Sequence, residues 1–202
     1  MEIYVNQQKI DVTLENEKTV SDVLCAFEEE FSKNGATTIG ISINGQKIEA
    51  EQIESEGEKA LSQDTKIEFD IISSEEIKQN LFDEAGAFRA IAEKLGDISA
   101  DYQSGKDKAA SLLIATLAEL VNRFCQTAKF TALFPDDFAP LLSNEIGGKN
   151  FQEFFKELPE ILGEFEQAIS SGDTVLLGDL AEYEIRPRLE EIADAIDALK
   201  KA

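Results

Sequence analysis

The most unusual local chemistry in this sequence lies near its end, in residues 182–188, which read EYEIRPR. A tyrosine, Tyr183, stands beside two acids and two arginines, Arg186 and Arg188, around a proline that interrupts a helical pattern. A kinked helix leaves backbone carbonyls without partners, and a guanidinium can bind an anion through two parallel hydrogen bonds. We therefore treat Tyr183, Arg186 and Arg188 as candidate partner-binding residues. The alternative is that both arginines pair with neighbouring glutamates while Tyr183 packs among helices.

A second candidate group is aromatic. Phe151, Phe154 and Phe155 open a strongly amphipathic segment. Adjacent residues on a helix point in different directions, so Phe154 and Phe155 cannot both face one core comfortably. Burial among helices is the favoured interpretation, and exposure of one ring as a docking residue is the alternative. The three phenylalanines complete the predicted partner-binding set.

The residue types argue against catalysis. The 202 residues include no histidine, which removes Ser-His-Asp and Cys-His catalysis, zinc hydrolase sites and histidine-containing di-iron sites. The sequence has neither a phosphate-binding glycine loop nor a calcium loop. Carboxylate pairs such as Glu182/Glu184 and Glu190/Glu191 point apart on a helix. We predict no catalytic residue, no metal site and no cofactor.

The charge of the chain restricts its partners. The formal net charge is -22, with 16 acidic and 6 basic residues in 1–72 and 25 acidic and 13 basic residues in 73–202. Such a chain repels nucleic acid and favours a protein partner that is basic or an amphipathic helix, although solubility alone also explains the charge. The sequence has no membrane-length apolar run and no secretory signal, so we expect a cytoplasmic location.

The first third of the chain predicts a compact α/β module. The expected order is a strand over 2–6, a return strand over 10–15, a helix opened by Thr19, a strand over 38–43, an Asn44-Gly45 turn with a short return strand, a minor helix around 56–61, and a closing strand over 66–71. This order, beginning on the strand Met-Glu-Ile-Tyr-Val, resembles the ubiquitin-like β-grasp fold. The resemblance implies a recognition module that presents a sheet face or edge. Protein modifiers and sulfur carriers of this family need a free Gly-Gly carboxyl terminus. Here the closing strand continues into further chain, so we exclude both of these functions.

Burial within this module follows from alternation and helical spacing. The residues expected to face its core include Ile10, Val12 and Leu14 of the second strand and Ile39, Ile41 and Ile43 of the third. Cys25 and, later in the chain, Cys125 lie in apolar helical contexts. We predict two buried free thiols, with a disulfide between them as the alternative.

The remaining residues predict an all-α region. Ser73 and Ser74 supply helix-start chemistry, and four long apolar periodicities plus a short one follow, which is typical of a helical bundle. The segment 106–134 carries two neighbouring apolar stripes and is expected to be buried on several sides. The overall prediction is α+β, with a β-grasp domain over 1–72 and a helical bundle domain over 73–202.

These observations favour a non-catalytic protein-binding or adaptor protein. One alternative is a chaperone of the kind used in bacterial secretion or flagellar export, which this chain resembles in size, charge and helicity. Another is an enzyme that uses Asp or Glu with a metal or a cofactor, although no motif for one is present.

Overall fold

The computed structural model describes residues 1–14, 16–104, 107–143, 145–146 and 148–201. The protein is α+β, with a mixed five-strand sheet followed by helices. It forms two compact units, Met1–Glu76 and Ile77–Ala202.

The first unit contains one mixed sheet and the helices connected to it. Its elements are β1 (Glu2–Val5), β2 (Gln8–Ile10), α1 (Val20–Lys33), β3 (Ala36–Ile43), β4 (Gln46–Lys47), a 3-10 turn (Ala50–Gln52), α2 (Ile53–Gly57) and β5 (Lys66–Ser73). The strand order is β2-β1-β5-β3-β4, with β1 and β5 parallel and the other pairs antiparallel.

Local sequence signals place the helix of this unit as predicted. Thr19 accepts a hydrogen bond from the Asp22 backbone N–H, and the Asp22 carboxylate accepts from the Thr19 backbone N–H, which forms a capping box. The helix then buries Val23 and packs the Phe31 ring edge-on against Phe69 of β5, with ring centroids 5.5 Å apart. The helix and the sheet therefore share one apolar core.

Three residues of this unit are more exposed than the sequence predicted. Strand β2 ends at Ile10, so Val12 lies beyond the sheet and is 43% exposed. The pairing of β3 with β5 shifts by one residue at Ile39, which leaves that side chain 44% exposed. Cys25 is exposed because it lies two residues, about 200°, from the buried Val23 on α1. The predicted core positions of these three side chains are therefore wrong.

The later elements are mostly helical. They are α3 (Ser74–Leu95), α4 (Ile98–Gln103), α5 (Asp107–Phe130), a 3-10 turn (Thr131–Leu133), α6 (Pro135–Leu142), β6 (Glu145–Ile146), β7 (Lys149–Asn150), α7 (Phe151–Ser171), α8 (Thr174–Asp179), a π-helical turn (Leu180–Ile185), α9 (Arg186–Asp197) and a final 3-10 turn (Ala198–Lys201). The separate helix α4 and the small β6–β7 ribbon were not predicted from the sequence. Within the described residues no helix is long and apolar enough to cross a membrane.

Helix α5 is less enclosed than its two apolar stripes predicted. Leu117, Leu120 and Phe124 are buried, but Leu112 is 69% exposed. The residues of the second stripe are only half-buried: Ile114, Val121, Cys125 and Ala128. The ring of Phe124 meets Phe88 of α3 edge-on, with centroids 5.4 Å apart. The helix is therefore amphipathic, with one buried face, and is not surrounded.

A single carboxylate is buried on α3. Glu84 is 1% exposed, and its Oε1 accepts a hydrogen bond from Thr127 Oγ1 at 2.9 Å and lies 3.4 Å from Arg123 Nε. Its Oε2 has no hydrogen-bond partner among the described residues. Burial away from water raises the pKa of Glu84, and Thr127 and Arg123 offset this only in part.

The raised pKa of Glu84 predicts a pH-dependent stability. Because the folded-state pKa lies above the unfolded-state value, the cost of the buried charge is present above the folded-state pKa and disappears as the pH falls below about 4.3, the unfolded-state value. We expect Glu84→Gln to be more stable than the wild type at pH 7, by on the order of 1 kcal/mol. The difference should shrink towards pH 4 in urea unfolding curves followed by circular dichroism.

The neighbouring exposed acid provides the control for this prediction. Asp83→Asn removes the same charge one residue away, and its effect should be small at every pH. A constant difference between Glu84→Gln and the wild type from pH 7 to pH 4 would contradict the prediction.

Candidate functional site

A polar cleft of about 300 Å³ opens in the second unit. It is formed by the β6–β7 ribbon, the start of α7, the π-helical turn and the start of α9. Its lining residues are Ile146, Lys149, Phe154, Glu157, Tyr183, Glu184, Pro187, Arg188 and Glu191. The cleft therefore brings together three of the six predicted partner-binding residues: Phe154, Tyr183 and Arg188.

The shape of one wall follows from Pro187. Proline has no amide hydrogen, and its ring clashes with the carbonyl four residues earlier in a regular α-helix. The chain instead widens into the π-helical turn Leu180–Ile185, where the Arg186 backbone N–H donates to the Ala181 carbonyl, five residues back. Such wide turns occur frequently at functional sites. The wider turn leaves Tyr183 65% exposed at the cleft.

Arg188 is held against the turn that precedes it. Its Nη1 donates to the Glu184 backbone carbonyl at 2.8 Å and to Glu184 Oε2 at 2.6 Å. The first bond satisfies a carbonyl at the turn, and the second neutralises both side chains. Arg188 therefore fixes the wall of the cleft and has little charge left for a ligand.

The β7–α7 part of the cleft carries a second ion pair. Lys149 of β7 donates to the carboxylate of Glu157 on α7. Phe154, one turn before Glu157, is only 4% exposed and packs below the polar rim. The ring of Phe154 is therefore part of the cleft wall and not an exposed docking residue.

The cleft has an excess of negative charge. Three carboxylates line it, and only Glu157 and Glu184 are paired with its two basic residues. Glu191 is exposed and makes no hydrogen bond or ion pair with any other described residue. An exposed tyrosine ring and a free carboxylate therefore line the same small cleft.

The structure does not place the other three predicted residues in this cleft. Arg186 lies in a separate cleft with Arg89, where its Nε is 3.1 Å from Glu190 Oε1 and Arg89 binds Asp194. The side chains of Phe151 and Phe155 are outside the described part of the chain. Both arginines thus pair with nearby glutamates, as the alternative interpretation held, whereas Tyr183 does not pack among helices.

Four polar residues of the cleft were not predicted: Lys149, Glu157, Glu184 and Glu191. The pairing of Glu184 with Arg188 has a sequence signal, because residues four apart lie on one helix face. Lys149 has none, since it reaches the cleft through a two-residue strand that only the folded chain positions.

Comparison with known families places most of the helical unit. A family model described as a domain of unknown function, DUF8042, matches residues 86–195, which is more than half of the chain. The chain belongs to this DUF8042 family. The matched range includes the whole cleft, from Ile146 to Glu191, so the cleft lies within the DUF8042 domain.

The first unit matches a different model. Residues 1–73 match the TP0873 N-terminal domain. The DUF8042 protein described here is also similar along almost its whole length to an uncharacterized protein of Treponema pallidum (strain Nichols), with 25% identity over 197 residues that cover 97% of this chain and 96% of the relative. No solved structure matches the chain. Among the described residues, no three Cys, Asp or Glu side chains cluster closely enough to hold a metal ion.

The two arginines of the π-helical segment should differ in their contribution to stability. Arg188 is the more buried and donates to a backbone carbonyl as well as a carboxylate, so Arg188→Ala should lower the free energy of unfolding by about 1 kcal/mol. Arg186→Ala removes one exposed pair and should cost at most about 0.5 kcal/mol. Urea unfolding followed by far-ultraviolet circular dichroism measures both. Equal losses would mean that the bond to the Glu184 carbonyl does not stabilise the turn.

Proposed function

We propose that this protein is a non-catalytic protein-binding adaptor whose helical unit receives a basic side chain of a partner in the cleft beside Tyr183. The observation that carries the proposal is the pairing pattern of the cleft. The two basic side chains of the cleft are already paired, Lys149 with Glu157 and Arg188 with Glu184. Glu191 and the ring of Tyr183 remain accessible.

The charge of the cleft selects a cation as its ligand. An anion would have to displace a glutamate from Arg188 or Lys149, and it would approach a chain with a net charge of -22. A lysine or arginine side chain would instead gain the Glu191 carboxylate and the face of the Tyr183 ring. The anionic contact first considered for the arginines is therefore replaced by a cationic one.

The size of the cleft suits one side chain. Small-molecule sites usually have volumes of about 300–1,000 Å³. This cleft lies at the lower limit of that range and is open to solvent on one side through Tyr183, which is typical of a position that anchors part of a larger partner. A partner that is itself basic matches the acidic surface of the chain.

The first unit supports an adaptor architecture. Along the chain it has two strands, a helix, a strand with a short return strand, a short helix and a closing strand, which is the element order on which the resemblance to the ubiquitin-like β-grasp fold rests. We therefore extend the proposal to a β-grasp domain over 1–72 that is joined to a helical bundle domain over 73–202. In such an arrangement each part can bind a partner separately.

Affinity capture with cleft variants tests the proposed function. The wild-type chain of 202 residues is immobilised and incubated with cell extract at about 0.15 M salt, and it should retain a stoichiometric protein with a basic surface. Tyr183→Ala combined with Glu191→Gln removes one cation–π contact and one ion pair, so the affinity of the purified complex should fall about tenfold or more. Isothermal titration calorimetry with the purified partner measures the change.

A matched charge variant separates the cleft from the general acidity of the surface. Glu182→Gln removes one exposed carboxylate beside Tyr183 from a residue that does not line the cleft, and it should change the affinity less than twofold. If Glu182→Gln weakens the complex as much as the cleft double variant, then binding depends on net charge and the proposed cleft contact is wrong.

A further inference from the structure

A second, independent surface lies in the first unit, where β3 is much longer than the strand at its outer side. Strand β4 pairs only with Ser42 and Ile43, and one further hydrogen bond joins the Ile48 N–H to the Ile41 carbonyl at 2.9 Å. Among the described residues, no strand pairs with the outer side of β3 from Ala36 to Gly40. This stretch is therefore a strand edge without a partner strand, of the kind that can pair with another extended chain.

An apolar groove runs along this edge. It has a volume of about 530 Å³ and lies between α1, β3 and the segment from Lys47 to Ile53. The apolar side chains that line it include Leu24, Ile39, Ile41 and Ile53, and the thiol of Cys25 is exposed in it. A strand that paired with β3 would place every second side chain in this groove.

The bulge in β3 makes the groove apolar. The register of β3 against β5 shifts between Thr38 and Gly40, so Ile39 points outwards instead of into the core. Gly40 fits closely beside it, because a β-carbon there would lie 3.0 Å from Asp70 Oδ2 and would require the Asp70 side chain to move. The bulge therefore presents an isoleucine to solvent at the edge, which core packing does not require.

A carboxylate already occupies part of this edge. Glu28 of α1 accepts hydrogen bonds from the Thr38 backbone N–H at 3.3 Å, from Thr38 Oγ1 at 2.6 Å and from Thr37 Oγ1 at 2.8 Å. Partial burial opposes ionisation of Glu28, but these bonds outweigh it and lower its pKa, so the carboxylate is charged at neutral pH. Glu28 gives the free edge a negative charge.

We propose that the outer edge of β3 is a docking site for an extended segment of a partner protein in which apolar and basic residues alternate. The backbone of the segment pairs with Ala36–Gly40 and replaces the bond from the Thr38 N–H to Glu28. Its apolar side chains enter the groove beside Ile39. Its basic side chains meet Glu28 and compete with Lys47 for Glu49. Charge disfavours a second copy of this chain, because residues 1–72 carry 16 acidic against 6 basic residues. This site is separate from the helical cleft and does not depend on it.

The test uses the whole 202-residue chain and a synthetic probe, the peptide acetyl-KVKVKV-amide. Alkylation by iodoacetamide is followed by mass spectrometry of proteolytic fragments, which reports Cys25 and Cys125 separately. Cys25 lies in the groove, whereas Cys125 lies on α5 and serves as the internal reference. Saturating peptide should slow the alkylation of Cys25 at least threefold and leave the rate at Cys125 unchanged.

Two control peptides and two matched variants define the mode of binding. A KVKVKV peptide that is N-methylated at alternate residues has the same charge, but along one edge it cannot donate backbone hydrogen bonds. The peptide acetyl-EVEVEV-amide has the opposite charge. Neither peptide should protect Cys25 from alkylation. Ile39→Ser should abolish the protection by KVKVKV. Val12→Ser changes an equally exposed β-branched residue outside the groove and should preserve it.

Any of three other results would overturn the proposal. Equal protection by the N-methylated peptide would show ionic or apolar contact without strand pairing. Protection that increases with protein concentration in the absence of peptide, together with a dimer mass by light scattering, would assign the groove to a second copy. No protection by KVKVKV, in a protein whose circular dichroism is native, would show that the edge does not accept a strand.

Discussion

The amide nitrogen of Pro187 carries no hydrogen, and the geometry of the helical cleft depends on that fact. A regular helix cannot pass through this position without losing a hydrogen bond and meeting the ring of the proline. The chain accommodates the proline with the wide turn Leu180–Ile185, and Arg188 then donates to the Glu184 carbonyl within that turn. Tyr183 is exposed as a result. One covalent property of one residue thus produces an accessible aromatic ring, an immobilised arginine and a small cavity between them.

The acidic composition is organised differently at the two candidate surfaces. In the helical cleft both basic residues, Lys149 and Arg188, form ion pairs with glutamates of the cleft. Glu191 has no such pair among the described residues, so the local charge is negative. At the edge of β3 the Glu28 carboxylate accepts hydrogen bonds from two threonines and a backbone amide, which keeps it charged in a partly apolar setting. Because the sequence contains no histidine, neither surface carries a group that ordinarily titrates near neutral pH. Each surface presents a carboxylate, and the proposed cationic partners rest on that feature.

The parts of the fold that sequence analysis located correctly depend on interactions between residues close in the chain. The capping box at Thr19, the left-handed Gly35 after α1, and the Asn44-Gly45 turn, with φ of 52° and 80°, lie where their residue types predict. The α+β class follows from the same signals, since alternation gives way to helical spacing after Ser73. In the candidate site, Tyr183 could be recognised from the sequence as a candidate binding residue, but the residues that surround it could not be predicted.

The sequence by itself determined the α+β class, the start of α1 at the Thr19 cap, the start of α3 after Ser73, and the absence of histidine-dependent chemistry. Only the tertiary structure decided that Ile39 leaves the core at a bulge, that α5 is covered on one face alone, and that Lys149 and Glu157 pair in the cleft that Arg188 also lines. The physical reason is the distance along the chain between the residues that interact. Caps, turns and periodicity are set by hydrogen bonds and steric limits within a few residues, whereas strand register, burial and the pairing of charges depend on segments that are distant in the chain and meet only after folding.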